Sequence, residues 1–234
     1  WDVLTYVNEA PYNPTFGPTI TRTYDSGNTS VARQEMGLNI GISGDRDVIS
    51  VVPAGLGSSP QNSQFNVYTS ATGVLERTIT NPNSDYQYYS LNNKTSTFHG
   101  GDYIAVGAAA ISGTSRKVTI HQISTGGLIH TIDDANTNNN SWRYRYNFIS
   151  DTYLVSSDYQ DDSIDIRKTT AGDWSDITTV GTVNSPSSST RFGENVSIHG
   201  DYAIVSGRFY TTGSIQRQGR AFIVNLSTAT VVDT

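Results

Sequence analysis

In the stretch "NVSIHG", residues 195–200, apolar and polar positions alternate: Val196 and Ile198 share one face, Ser197 and His199 the other. That period of two predicts a strand. Gly200-Asp201 follows as a tight turn, since glycine at the first central position suits type II′ geometry. "YAIVSG", residues 202–207, is a nearly continuous apolar run and predicts a strand covered on both faces. After the polar loop "RFYTTGSIQRQG" come "RAFIVNL" (220–226), the turn "STAT" and a short fourth strand in "VVDT".

The plan recurs along the chain. "GISGDRDVISV" (41–51), "TFHGGDYIAVG" (97–107), "NFISDTYLVSS" (147–157) and "SIHGDYAIVSG" (197–207) align through Asp45, Asp102, Asp151 and Asp201, at spacings of 57, 49 and 50. Two more strands complete each earlier copy: "QFNVYTS" and "VLERTI", "RKVTIHQIS" and "LIHTI", "SIDIRKTT" and "SDITTV", with turns at "ATG", "TGG" and "AGDW". Four short antiparallel strands in about 50 residues, repeated, are the signature of a β-propeller blade. Residues 1–36 break the pattern. "WDVLTYVNEA" and "PTITRTYDSG" read as the third and fourth strands of a blade without its preceding hairpin. The expected fold is an all-β propeller of about five blades. Four full blades fill 37–234 and a partial outer-strand pair fills 1–36, all in one domain.

The phrases "FGENVSIHGDYAIVSG" and "GRAFIVNLSTATVV" resemble the FG-GAP-related β-propeller repeats of phage virions and bacterial surface proteins. The resemblance covers about residues 37 to 234, is strongest in the fourth copy, and is weakest in the third, which lacks the turn glycine before Asp151. It implies blades, and by association an extracellular or virion-surface setting.

Composition narrows the function classes. The chain of 234 residues carries a formal net charge of -6 and only three lysines, Lys94, Lys117 and Lys168. A general attraction to nucleic acid or anionic lipid is not expected. There are no cysteines, so disulfides and thiolate-held metals are excluded. No segment approaches the ~20 apolar residues that span a membrane as a helix. A start at Trp1, with neither initiator methionine nor signal peptide, reads as a processed product, a fragment or one domain of something longer.

Several residue groups are candidate sites. The repeated Asp45, Asp102, Asp151 and Asp201 can form a ring of carboxylates, but aspartate is a good turn residue, and the turn role carries more weight. Asp158, Asp161, Asp162 and Asp165 in "SSDYQDDSIDI" offer the hard oxygens that calcium takes, although the D-x-D-x-D-G spacing and a downstream bidentate Glu are missing. His99, His121, His130 and His199 follow the repeat rather than a metal-ligand spacing. No G-x-S-x-G elbow appears and nothing selects a pair of acids, so no catalytic residue is assigned. The loops "APYNPTFGPT", "PNSDYQYYSLNN" and "NTNNNSWRYRYN" mix Tyr, Trp, Arg and Asn, the palette of binding surfaces. Tyr86, Tyr88, Tyr89, Trp142, Arg143 and Tyr144 are the ligand-binding candidates, with packing between blades as the competing role.

These observations lead to one expectation: a non-enzymatic β-propeller module, extracellular or on a virion, used for attachment or assembly. Phage tail, fibre and surface-filament components are the examples. Its partners are other copies or other structural proteins of an assembly, or a cell-surface glycan. No cofactor is implied. The alternative is a lectin or a glycan-degrading enzyme.

Overall fold

The structure is a computed structural model, and it describes residues 34–43, 45–53, 64–80, 82, 86–88, 97–98, 101–110, 116–133, 143–158, 161–187, 190–211 and 218–234. Of residues 1–36, expected to hold the outer-strand pair, 1–33 lie outside these residues and 34–36 begin the first described strand. All regular structure among the described residues is β. The first blade is β1 (Gln34–Ser43), β2 (Arg46–Pro53), β3 (Gln64–Thr69) and β4 (Leu75–Thr80), hydrogen-bonded in that order. The second is β5 (Tyr86–Tyr88), β7 (Tyr103–Ala110), β8 (Arg116–Gln122) and β9 (Leu128–Asp133). The third is β10 (Arg143–Ile149), β11 (Tyr153–Asp158), β12 (Ser163–Lys168) and β13 (Thr178–Asn184), with β6 (Thr97–Phe98) added beside β10. The fourth is β14 (Phe192–His199), β15 (Tyr202–Gly207), β16 (Arg220–Asn225) and β17 (Thr230–Asp233). Each blade is an antiparallel meander, as the alternating pattern and turn residues require.

The second blade departs from expectation. "STFHGG" reads as the first strand of its inner hairpin, yet β6 pairs parallel with Phe148 and Ile149 of the third blade. The first-strand place is taken by β5, with Tyr86 opposite Ala110 and Tyr88 opposite Ala108. The other blades show why. Their first strands each shift register once, between Met36 and Ile40, between Arg143 and Tyr146, and between Phe192 and Val196. A bulge of this kind bends a strand off its ladder. In the second blade β5 and β6 are separate strands, and only β5 pairs with β7.

The inner turns set the repeat's true alignment. Ser70, Ile123 and Leu226 donate their N–H groups to the carbonyls of Asp45, Asp102 and Asp201, each at 2.7 Å. In the third blade the corresponding donor, Thr169, goes to Thr152 at 3.1 Å. Thr152, not Asp151, is therefore the equivalent residue, and Asp151 stands where Gly200 stands in the fourth blade. Ser150 replaces what glycine supplies: its Oγ accepts the N–H groups of Thr152 and Tyr153 at 3.3 and 2.9 Å, a side-chain turn. Gly200 has φ +54, and its paired neighbours His199 and Tyr202 leave a two-residue turn with positive φ at the first position.

The core lies between sheets. One buried cluster joins Val48, Val67 and Ile79 of the first blade to Ile104, Val106 and Ile120 of the second and Leu154 of the third. Trp174, from the turn between β12 and β13, is 0% exposed and closes this cluster. Its turn is held by Asp176, whose carboxylate accepts Thr169 Oγ1 at 2.7 Å and the Ala171 N–H at 3.0 Å. Those bonds, the Thr169 hydroxyl first, keep the Asp176 pKa below the usual carboxylate range. A second cluster joins Tyr153, Val155, Ile164 and Ile166 of the third blade to Phe192, Val205, Phe222 and Val224 of the fourth. Each fully buried aliphatic side chain contributes about 1.5–3 kcal/mol.

Gly193 sits in the bulge of β14 with φ +86, and a Cβ there would fall 2.5 Å from Ile164 Cγ2 and 2.9 Å from Ser157 Cβ. Its neighbour Phe192 is buried edge-on to Phe222, with ring centroids 5.4 Å apart. This is the physical content of the "FG" pair: the phenylalanine fills the space between two sheets and the glycine lets them touch. Gly200 has open space around its missing Cβ. Two outcomes follow. Gly193→Ala, which meets both a clash and a left-handed backbone, lowers stability by about 3 kcal/mol or more. Gly200→Val, strained only in the backbone, costs about 1–2 kcal/mol. Urea melts of the two variants give the order directly.

His121 on β8 is buried among the first cluster's residues, with its Nε2 3.2 Å from Thr119 Oγ1. Burial brings its pKa from 6.5 down to about 4. The unfolded chain takes up this proton below pH 6.5, whereas the folded chain resists until about 4. Stability therefore falls as pH drops through that window, by about 3 kcal/mol. His121→Leu removes this component, and the difference between the two proteins' urea midpoints from pH 7 to pH 4 measures it.

Candidate interaction surface

The strand registers sort the candidates by the end of the sheets they occupy. The inner turns, at Asp45, Asp102, Thr152 and Asp201, lie at one end. Tyr86 and Tyr88, paired to the last residues of β7, lie at the other. So does Arg143, paired to Asp158, with Tyr144 beside it in the bulge of β10. Tyr89 and Trp142 fall outside the described residues. Four of the six aromatic and arginine candidates thus belong to the far ends of the first strands of two neighbouring blades. The same end of the fourth blade holds Phe192, Gly207 and Arg220.

The inner-turn acids are tied down in separate ways. Asp102 accepts the Ser124 N–H at 2.7 Å and also its hydroxyl. Asp201 accepts the Tyr153 hydroxyl at 2.9 Å, a bond from one blade to the next. Burial, and then this bond to a carboxylate, raise the Tyr153 pKa. Asp45 pairs with Arg46 at 3.0 Å. Asp151 is exposed at its turn.

Three of the four acids considered for calcium have individual partners. Asp158 is 4% exposed, and its Oδ1 accepts the Asp161 N–H at 3.3 Å. Asp162, with φ 50, accepts the N–H groups of Thr190 and Phe192 at 3.0 and 3.3 Å. It thereby fastens the start of the fourth blade to the third. Asp165 accepts Thr182 Oγ1 at 2.6 Å and lies 3.7 Å from Arg167. Among the described residues no three metal-ligating side chains form a group.

A different set of residues gathers at the far end of the fourth blade. The Arg191 and Arg208 guanidinium carbons lie 4.7 and 5.0 Å from the centre of the Phe209 ring. Arg220 lies 4.7 Å over Tyr210, and Tyr210 meets Phe222 edge-on at 5.6 Å. Glu194 pairs with Arg208 at 3.2 Å. The backbone fixes this arrangement: the Phe209 N–H donates to the Thr190 carbonyl at 2.9 Å, drawing the 208–210 segment over the entry to β14. A guanidinium lying over a ring keeps edge N–H groups for a carboxylate, sulfate or phosphate, and the ring offers an apolar face. In the sequence Arg208, Phe209 and Tyr210 read as part of a polar loop and Arg220 as the start of a strand. The available signal was the pairing of arginine with an aromatic at 191–192, 208–210 and 220–222 of the fourth repeat.

Asp162 gives a direct check on whether the acids are structural. Asp162→Ala leaves two backbone N–H groups without their acceptor and lowers stability by about 3 kcal/mol. EDTA leaves the Tm of the unaltered chain where it was. Thermal melts of both, with and without added calcium, test the pair of outcomes.

No protein-family model matches the sequence, and no curated protein matches it. Solved structures do match. The structure of the Dos1 propeller aligns with a TM-score of 0.51 and 7% identity, over 82% of this chain and 44% of that one. The β-propeller domain of the Trilobed protease from Pyrococcus furiosus, described as having an open velcro topology, aligns with a TM-score of 0.50 and 10% identity, over 86% of this chain and 57% of that one. The chain spans about half the length of these two structures. At such identities the likeness is one of fold, and the fold is that of a β-propeller.

Proposed function

We propose that the chain is a non-enzymatic β-propeller module of an extracellular or virion surface, and that it serves attachment or assembly through the rim opposite its inner turns. The observation that supports this most is the arginine–aromatic cluster of Arg191, Arg208, Phe209, Tyr210 and Arg220. On a chain of net charge -6, a local group of three arginines with Glu194 beside it favours an anionic partner. Tyr86, Tyr88, Arg143 and Tyr144 extend the same rim across two further blades by their places in the ladder. The resemblance of the fourth repeat to FG-GAP-related sequences supports the surface setting. The ligand class is an acidic glycan or an acidic protein surface, held by guanidinium forks and ring faces.

The test is a glycan array that includes sulfated and sialylated sugars, run beside a reducing-sugar assay on the same glycans. Retention without release of reducing ends is the expected result. Arg208→Glu combined with Arg220→Glu weakens it about tenfold, or 1.4 kcal/mol. Release of reducing ends would replace this reading with that of a glycan-degrading enzyme. Retention unchanged in the double variant would place binding away from this rim.

A further inference from the structure

We propose that the open sheet face of the fourth blade is a docking surface for a further blade of the same repeat type. The argument starts from a match between two faces. On the third blade, Tyr153, Val155, Ser157 and Ile166 are 4%, 0%, 0% and 0% exposed, because the fourth blade packs on that face. The ladder places Val155 opposite Ile166, and Ile204 opposite Ile223. Tyr202, Ile204, Ser206 and Ile223 are thus the same four positions one blade later, with Tyr, Ile, Ser and Ile in place of Tyr, Val, Ser and Ile. There Tyr202, Ile204 and Ile223 are 51%, 56% and 37% exposed, and Val232 on β17 adds 52%. A contiguous apolar sheet face of this kind marks an interaction site.

The filled interface also states what the occupant must carry. Tyr153 donates its hydroxyl to Asp201, in the inner turn of the blade that covers it. Tyr202 holds the equivalent place, so the docked blade carries an acid at its own inner turn. The first blade of this chain, or of a second copy, does not meet the need. On its corresponding face Asn66 and Tyr68 are already 0% and 3% exposed. They form a polar network in which Asn66 donates to the Tyr68 hydroxyl at 3.0 Å and accepts Gln64 and Thr78 at 3.1 and 3.0 Å. The face therefore suits a blade with the apolar back of the fourth blade itself, where Ala203, Val205, Phe222 and Val224 are buried.

That blade can be supplied as a probe. A second copy of residues 185–234 is appended after Thr234, standing in for that blade. The expected result is that the added copy resists trypsin and that binding of an apolar dye such as ANS falls severalfold. Ile204→Glu in the receiving blade then reverses both, while Ile204→Glu in the unextended chain leaves its Tm unchanged because the residue is exposed. An appended copy digested back to Thr234, with dye binding undiminished, would overturn the proposal. So would an unextended chain that sediments as a dimer and becomes a monomer with Ile204→Glu, which would assign the face to a second copy of this chain.

Discussion

The contact of one sheet's face with the next carries this structure. A single blade has two apolar faces and no core of its own. Val155, Ile164 and Ile166 leave water only when Phe192, Val205 and Phe222 cover them. The closeness of that contact depends on Gly193, where the backbone of one blade runs against Ile164 and Ser157 of the previous one. In a packed interior a single added carbon at such a point displaces everything that touches it. The "FG" pair of the fourth repeat and the inner hairpins serve this one requirement.

The two ends of the sheets are consequently different in kind. At the inner turns, the carbonyls of Asp45, Asp102, Thr152 and Asp201 accept N–H groups from just past the third strand of their own blades, and the Tyr153–Asp201 bond links neighbouring blades. Any change there is felt by the packing. At the opposite end the connections vary in length and sequence, and the ladder has already been satisfied. Side chains with chemistry to offer, such as Arg208, Phe209 and Arg220, accumulate where the fold constrains them least. A rigid frame with a variable rim is suited to recognition.

Burial also changes the meaning of polar residues. His121 matches the outer strands of the repeat and reads in sequence as an ordinary polar position. Buried on β8, it is held neutral well below its usual range. Asp162 belongs to an acidic run considered for calcium, yet it is buried and accepts two backbone N–H groups from the next blade. In both cases the local sequence is silent because the neighbours that matter come from other segments.

The sequence by itself determined the strands, their order and the blade plan. Alternation, turn glycines and a repeat near 50 residues are local or periodic signals, and each is written in consecutive residues. It did not determine that β6 leaves its own blade for β10, because pairing partners compete through space. Nor did it place the repeat's third anchor at Thr152, since an acid one residue earlier matched the pattern better than the residue that makes the bond. The arginine–aromatic cluster was hidden for the same reason: Arg191, Phe209 and Arg220 come from three separate stretches of chain. Tertiary structure alone decided that Tyr153 is covered and Tyr202 is open, although both begin equivalent strands. A sequence fixes which faces are apolar, but only packing decides which of them is still exposed to water.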